Sequence, residues 1–325
     1  MDSVLAVFVA KLKTNMFIIR HRKLFFILTG MILAIAIGAI AILGLPLSID
    51  FKGGSLVEVT YTAERPSLET LHDSIDQLAL GEVSLRESGD NGVVLRSRTL
   101  TPEEHATVLT TLSQNDAAPL TEQRFNSIGP SLGAELGIKA LYALLGIIAA
   151  IMLYIAWAFR RVSRPVSSWV YGFIVVIILI HDVIVPAGFY AILAHFTGAE
   201  VDALFVVALL AILGYSVNDT IVIFDRVREH LNSNEENRIA EDFETTVGKS
   251  VTETLGRSIN TSLTVALALL ALVFVGSSAT VNFSWVLLVG VVAGTYSSIL
   301  LAAPLLIPLS NKFVKAPEVS GSRKK

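Results

Sequence analysis

The chain has no cysteine among its 325 residues, which removes disulfides, thiolate metal sites and thiol nucleophiles from consideration. Charge is scarce as well. Asp, Glu, Lys and Arg together supply 16% of the residues, where a soluble domain carries roughly 25%. The net charge of -3 favours neither nucleic acid nor any other strongly charged partner, and no basic cluster sits on a nucleic-acid motif. No Walker-type phosphate loop occurs, so ATP hydrolysis is not expected of this chain. What it has in abundance is apolar side chains, at 53% of the total. That composition points to a membrane protein.

A membrane helix needs about 20 predominantly apolar residues. Six runs qualify: Leu24–Leu45, Ala140–Phe159, Val166–Ala194, Ala203–Phe224, Ser258–Gly276 and Phe283–Leu309. The first follows "RHRK" (Arg20–Lys23). It is too long for a signal-peptide core and no small-residue cleavage site follows it, so it reads as a retained anchor. Of the 25 Lys and Arg residues, 18 fall in the segments that are cytoplasmic if the N-terminus is inside. The short loops His195–Asp202 and Ser277–Asn282 hold none. Both termini are therefore expected in the cytoplasm. The expected organisation is a cytoplasmic segment 1–23, a span at 24–45, an extracytoplasmic domain at 46–139, five more spans within 140–309 with a cytoplasmic loop at 226–257, and a cytoplasmic tail at 310–325. Near the start, "SVLAVFVAKLK" (Ser3–Lys13) reads either as a short interfacial helix or as a frayed tail.

The polar block between the first two spans has a regular grammar. "SLVEVTY" alternates like a strand and "SLETLHDSIDQLA" has helical spacing, while "VSLRES" and "GVVLRSR" are strands joined by the turn "GDNG". "TPEEHATVLTTLS" is a helix with Thr101 as N-cap, Pro102 in its first position and Glu104 three residues after the cap; "LTEQRFNSI" closes as a strand. Strand, helix, strand, strand, helix, strand is the split ferredoxin-like pattern. The expected fold is thus an all-α six-helix transmembrane bundle carrying one α+β ferredoxin-like domain. That fold hosts many functions and names none. The block shows no metal-ligand cluster and no nucleophile triad; His72 and His105 read as solvated helix residues.

Polar groups inside the apolar runs carry more information. "GYSVNDTIVIFDRVRE" (Gly214–Glu229) places Asp219 in the fourth span, where an Asp near the helix centre costs roughly 2.5–3.5 kcal/mol. Such a group must face protein or water and is a functional hypothesis by default. Tyr215, Asn218, Asp219 and Val222 share a helical face, which Asp225 continues. In the fifth span Arg257, Asn260, Thr261 and Thr264 recur at helical spacing as a polar stripe, with Arg257 placed to reach Asp219. Packing between helices and snorkelling of Arg257 would explain that stripe equally well. The third span carries His181 and Asp182 side by side, about 100° apart on a helix, so at most one of them fully faces a given partner. The sixth carries "GTYSS" (Gly294–Ser298), with Tyr296 and Ser297 among small residues.

These motifs resemble the SecF side of the SecD/SecF family of bacterial protein export. The likeness rests on "GYSVNDTIVIFDRVRE", "IDFKGGSLVEV" (Ile49–Val59), "HDV", "TSLT" and "GTYSSI" in that order, from about Arg20 to Lys315. The resemblance implies membership of the RND superfamily and a place in the bacterial cytoplasmic (inner) membrane. It implies pairing with a SecD-like subunit and work beside the SecYEG channel and YajC on translocating unfolded polypeptide. The proton or sodium gradient would drive that work, with no bound cofactor, no metal and no enzymatic step. It makes Asp219 and Arg257, with Asn218 and Tyr215, the ion-coupling group. Asp50, Phe51, Gly53 and Gly54 of "DFKGG" are read, from the backbone freedom of the two glycines where the first span meets the first strand, as a hinge, with a β-bulge or tight turn as the other reading. Burial favours a protonated carboxyl and a nearby Arg an ionised one, which suits that role. Two alternatives stay open: a non-conducting scaffold for SecD and the channel, and an RND-type exporter of lipids or small molecules.

Overall fold

The computed structural model describes residues 16–160 and 166–313, and the segment Ser3–Lys13 lies outside them. The chain divides into two compact units. One consists of Leu45–Ala143 and Gly198–Val206 and contains a sheet; the other holds the remaining, helical segments.

In chain order, α1 (Phe17–Arg20) and α2 (Arg22–Leu43) come first, and α2 ends at Gly44, whose φ of 74° favours glycine. The sheet unit begins with a one-turn helix, α3 (Ile49–Lys52), capped by the Ser48 hydroxyl, which accepts from Asp50 N at 3.1 Å. There follow β1 (Gly54–Tyr61), α4 (Leu68–Asp76), β2 (Ser84–Ser88), β3 (Gly92–Ser97), α5 (Pro102–Leu112) and β4 (Leu120–Ile128). All pairings are antiparallel and the strand order is β2-β3-β1-β4. The alternation of β1 buries Val57, Val59 and Tyr61 against Leu71 and Ile75 of α4 and Val108 of α5. Each such side chain contributes roughly 1.5–3 kcal/mol. Both helix starts are chemically specified. Ser67 Oγ accepts from Thr70 N at 3.2 Å, and Thr101 and Glu104 form a reciprocal capping box behind Pro102. His72 is half-exposed beside Asp76. His105 departs from the solvated reading: it stacks on Phe125 at 3.9 Å and bonds Glu122 at 3.0 Å, because β4 runs beside α5.

Among the described residues six helices are long and apolar enough to cross a membrane. They are α2, α6 (Pro130–Ala158), α7 (Ser168–Thr197), α8 (Ala203–Glu236), α9 (Phe243–Val275) and a last one that runs through α10 (Ser278–Ser297), a π turn (Ser298–Ala302) and α11 (Ala303–Phe313). The helices outrun the apolar stretches. α6 starts at Pro130 rather than Ala140, α8 continues past Phe224 to Glu236, and α9 starts at Phe243 rather than Ser258. The segment 226–257 expected as a loop is therefore mostly a helical hairpin. Charge pairing carries the helices onward: Arg226 pairs with Glu229 at 2.6 Å and Glu253 at 2.5 Å, Lys249 pairs with Glu241, and Asp242 caps α9. Within the helical unit α7 is the most enclosed span, and Gly188 lets it lie directly on Ala36 of α2.

Candidate functional site

Several buried or half-buried polar residues of the helical unit meet across its helices. α8 contributes Tyr215, Ser216, Asp219 and Thr220; α7 contributes His181 and Asp182; α9 contributes Ser258 and Ser262; α10 and the π turn contribute Thr295, Tyr296, Ser297 and Ser298.

Asp182 is fully buried and fully partnered. Its Oδ1 meets His181 Nδ1 at 2.7 Å, and its Oδ2 accepts from Ser297 Oγ at 3.0 Å and from Ser216 Oγ. The other ring nitrogen of His181, Nε2, lies 2.9 Å from Tyr296 Oη, with the two rings edge to face. His181 and Asp182 do face different neighbours, yet they also bond each other. The cluster ties α7, α8 and α10 together. Beside it, Thr220 Oγ1 and Ser298 Oγ are 2.8 Å apart, and the Tyr215 hydroxyl donates to Ser262 Oγ at 3.1 Å. Ser262 Oγ in turn lies 2.5 Å from Thr295 Oγ1.

Asp219 is treated otherwise. It is 5% exposed, and its Oδ2 is buried without a hydrogen-bond partner among the described residues. Ser258 Oγ on α9 is buried beside it; the hydroxyl makes no hydrogen bond of good geometry, yet it lies close enough to the Asp219 carboxyl to act on it as a donor. The Arg257 charge acts on Asp219 across the gap, but the two do not form an ion pair. Arg257, Asn260, Thr261 and Thr264 lie on the exposed face of α9, as Asn218 and Asp225 do on α8. The Thr261 and Thr264 hydroxyls donate to the carbonyls of Arg257 and Asn260, both at 2.9 Å, so their own helix satisfies them. Asp225 pairs loosely with Arg228 at 3.6 Å.

The structure thus joins His181, Asp182, Tyr296 and Ser297, ties Tyr215 to Ser262 and sets Asp219 beside Ser258. It leaves the Arg257 stripe outside. Sequence reasoning missed Ser216, Thr220, Ser258, Ser262 and Ser298. The buried stripe of α9 is Ser258 and Ser262, one residue out of phase with Arg257 and Thr261. Its signal was the small size of those serines, which lets α8 and α10 approach. In the sheet unit, the "DFKGG" glycines have φ of 79° (Gly53) and 125° (Gly54). A Cβ on Gly53 would stand 2.6 Å from Pro130 Cα, and one on Gly54 2.6 Å from Ser97 O, so neither position admits a side chain.

Comparison with known proteins bears on the family of the chain. A family model described as "Protein export membrane protein SecD/SecF, C-terminal" matches residues 107–312, and one described as "SecD/SecF GG Motif" matches residues 38–64. The protein translocase subunit SecF of Anaerolinea thermophila is 38% identical, over 89% of this chain and 92% of that one. The SecF of Thermobaculum terrenum is 37% identical, over 91% and 94%. Among solved structures, SecDF from Thermus thermophilus, a translocon-associated membrane protein, is similar with a TM-score of 0.76 at 30% identity. A SecDF structure in a super-membrane-facing form gives 0.63 at 29%. Both cover 90% of this chain, which spans only 38% of the length of those two chains.

Proposed function

The chain belongs to the SecD/SecF family of protein export membrane proteins, and on that premise we propose that it is the SecF-like half of a SecD–SecF assembly that uses an ion gradient, of protons or sodium, to assist polypeptide export. The observation that carries this reading is Asp219: a carboxylate inside an apolar bundle with one oxygen left without a partner. A charge in such a setting is costly and marks ion pathways. Two events relieve it. A proton neutralises it, or the Arg257 guanidinium, already near enough to be felt, swings in to pair with it. Alternation between those states gives ion flow a mechanical output, because Asp219 shares α8 with Ser216 and Thr220, which bond α7 and the π turn.

The remaining parts of the proposal follow from the same picture. The sheet unit is read as a ferredoxin-like domain on the outer side, a reading supported by its strand order and all-antiparallel pairing. A SecD-like chain would cover the exposed polar edge formed by Asn218, Arg257 and Asn260, which lipid would not tolerate bare. SecYEG, YajC and the unfolded polypeptide are the further partners, in the bacterial inner membrane with both termini cytoplasmic. The work is transport driven by the gradient, as in the RND superfamily, with no ATP hydrolysis and no bound cofactor.

The test is Asp219→Asn in inverted membrane vesicles, with export measured with and without a gradient and complex yield as the folding control. The amide keeps the shape and hydrogen-bonding capacity but cannot titrate. We expect a normal yield of complex and loss of the gradient-stimulated part of export. Wild-type gradient dependence in a well-formed Asp219→Asn complex would end the ion-carrier reading of Asp219.

A further inference from the structure

The "DFKGG" turn sits where a sequence reading places a hinge between the first span and the first strand, yet its contacts lie elsewhere. We propose that the turn Ile49–Gly54 is a clamp that holds the starts of α6 and α8, with Asp50 as the positioning residue that ties the helix carrying Asp219 to the sheet domain. The proposal rests on the ion-coupling role assigned to Asp219 and specifies how its state reaches that domain.

The first observation is the start of α8. Asp202 caps it locally, its Oδ1 accepting from Phe205 N at 2.8 Å. A second carboxylate is present that a plain cap would not need. Asp50 Oδ2 accepts from Ala203 N at 2.9 Å, although Asp50 lies 153 positions earlier in the chain. Two carboxylates on one helix start repel each other. Burial, and then the Asp50 charge, lift the Asp202 carboxyl above its ordinary range, against the pull of the Phe205 N–H bond and of Arg124. An arrangement that accepts this repulsion serves more than capping.

The backbone around it is stitched in the same direction. Leu47 and Val201 form a parallel bridge; Ser48 N donates to Val201 O at 2.9 Å, and Val201 N donates to Pro46 O at 2.7 Å. Strands β2 and β3 add a grip on the approach to α8: Arg86 donates to Gly198 O, and Arg96 pairs with Glu200 at 3.1 Å. On its other side the turn seats on α6. A Cβ on Gly133 would come within 2.8 Å of Gly53 N, matching the 2.6 Å approach of Gly53 to Pro130. All of these residues belong to the sheet unit, which includes the first turn of α8 and the first turns of α6. Each helix then continues unbroken, α6 to Ala158 and α8 to Glu236, beyond that unit.

The test uses the full chain in its native complex, with three kinds of variant assayed side by side for gradient-stimulated export. Asp50→Ala removes the acceptor from Ala203 N and should lower that export about fivefold, the scale of a lost cap. Carbodiimide labelling of Asp219 should keep its wild-type pH profile, which a merely structural defect would disturb. Asp50→Asn retains a side-chain acceptor and should restore export to within about twofold. The absence of native cysteine permits the second measurement, the pair Leu47→Cys with Val201→Cys, whose backbones are bridged side by side, with disulfide formation checked by mobility on a non-reducing gel. Export should persist when this pair is oxidised, because a clamp stays shut through the cycle. Loss on oxidation with recovery on reduction would mean that the start of α8 must leave the domain, and would overturn the proposal even if Asp50→Ala fails to assemble. Full gradient-stimulated export in Asp50→Ala would also overturn it. Asp219→Asn is the control: if that variant keeps gradient dependence, the ion-coupling reading falls and the clamp's purpose with it. If it loses gradient dependence while Asp50→Ala keeps it, the clamp alone is wrong.

Discussion

Asp182 and Asp219 are both buried carboxylates in the spans, and their surroundings assign them different work. Asp182 has three side-chain partners on three helices. Replacing it by Ala would strand the Ser216 hydroxyl and His181 Nδ1, at roughly 1–3 kcal/mol for each buried group left unsatisfied, while Ser297 could fall back on the Gly294 carbonyl at 3.1 Å. Asn is a milder change. Its oxygen can accept from both serines while its amide donates to His181 Nδ1, provided the imidazole proton moves to Nε2 and donates to Tyr296. We expect Asp182→Ala to abolish recovery of the folded complex and Asp182→Asn to keep most of it, measured by detergent-solubilised yield and thermal stability. Equal losses in the two would show that the charge, not the hydrogen bonding, holds the cluster. Asp219→Asn should do the reverse, sparing assembly and removing gradient dependence. The expense of Asp219 was legible in the sequence because cost in lipid depends on residue type and depth. The provision made for Asp182 was not, because it depends on Ser216 and Ser297, whose role appears only when helices distant in sequence meet.

At the scale of elements, the local chemistry of the sheet unit was readable almost to the residue. Its helix starts are set by Ser67, Thr101 and Pro102, all acting within a few positions. The span ends were not, since hydropathy reports where lipid stops and the helices do not stop there. The hairpin beyond Phe224 persists on ion pairs such as Arg226 with Glu253, which link positions on two helices. The face of α9 that packs within this chain was not read either: it is the stripe of Ser258 and Ser262, while Arg257, Asn260, Thr261 and Thr264 lie on the exposed face of the single chain. Helix contact in the bundle depends instead on small residues. Gly290 and Gly294 of α10 lie against Ile212 and Ser216 of α8, and a Cβ on Gly294 would stand 2.9 Å from Ser216 Cβ. Ser216 cannot yield freely because Asp182 holds its hydroxyl. Gly294→Ala should therefore cost about 1–3 kcal/mol of stability as overpacking, and Gly294→Leu should prevent assembly. Gly290→Ala should cost at least as much, since its Cβ would stand 2.2 Å from Cδ1 and 2.4 Å from Cγ1 of Ile212, a fully buried β-branched side chain that cannot easily swing away. Thermal melts of the three variants in one detergent check this, and a wild-type melting point for either Ala substitution would contradict it.

For the whole molecule, the division into units cuts across the sequence order. Gly198–Val206 reads locally as a short loop and the start of a span, yet it belongs with the sheet unit through pairing to Leu47, a long-range fact that no periodicity encodes. Orientation, by contrast, is a property of total charge distribution and can be argued from the chain alone. The α8–α9 hairpin holds Arg226, Arg228, Arg238, Lys249 and Arg257, and the loops at the other ends of these helices hold no Lys or Arg. Acids in the hairpin pair with several of these cations, but acids contribute little to the orientation rule, so the bias stands. The hairpin and both termini should be cytoplasmic and the sheet unit external. Two turns can carry reporters without breaking an element: Gly89, with φ of 63° and open space around it between β2 and β3, and Arg238, with φ of 55° between α8 and α9. A phosphatase that folds only outside the cytoplasm should be active at Gly89 and silent at Arg238, and a fluorescent protein that folds only inside should give the opposite pattern. Activity of the phosphatase at Arg238 would invert the topology. The proposed path of ions past Asp219 would then run in the wrong direction for export, and the functional reading would fall with the orientation.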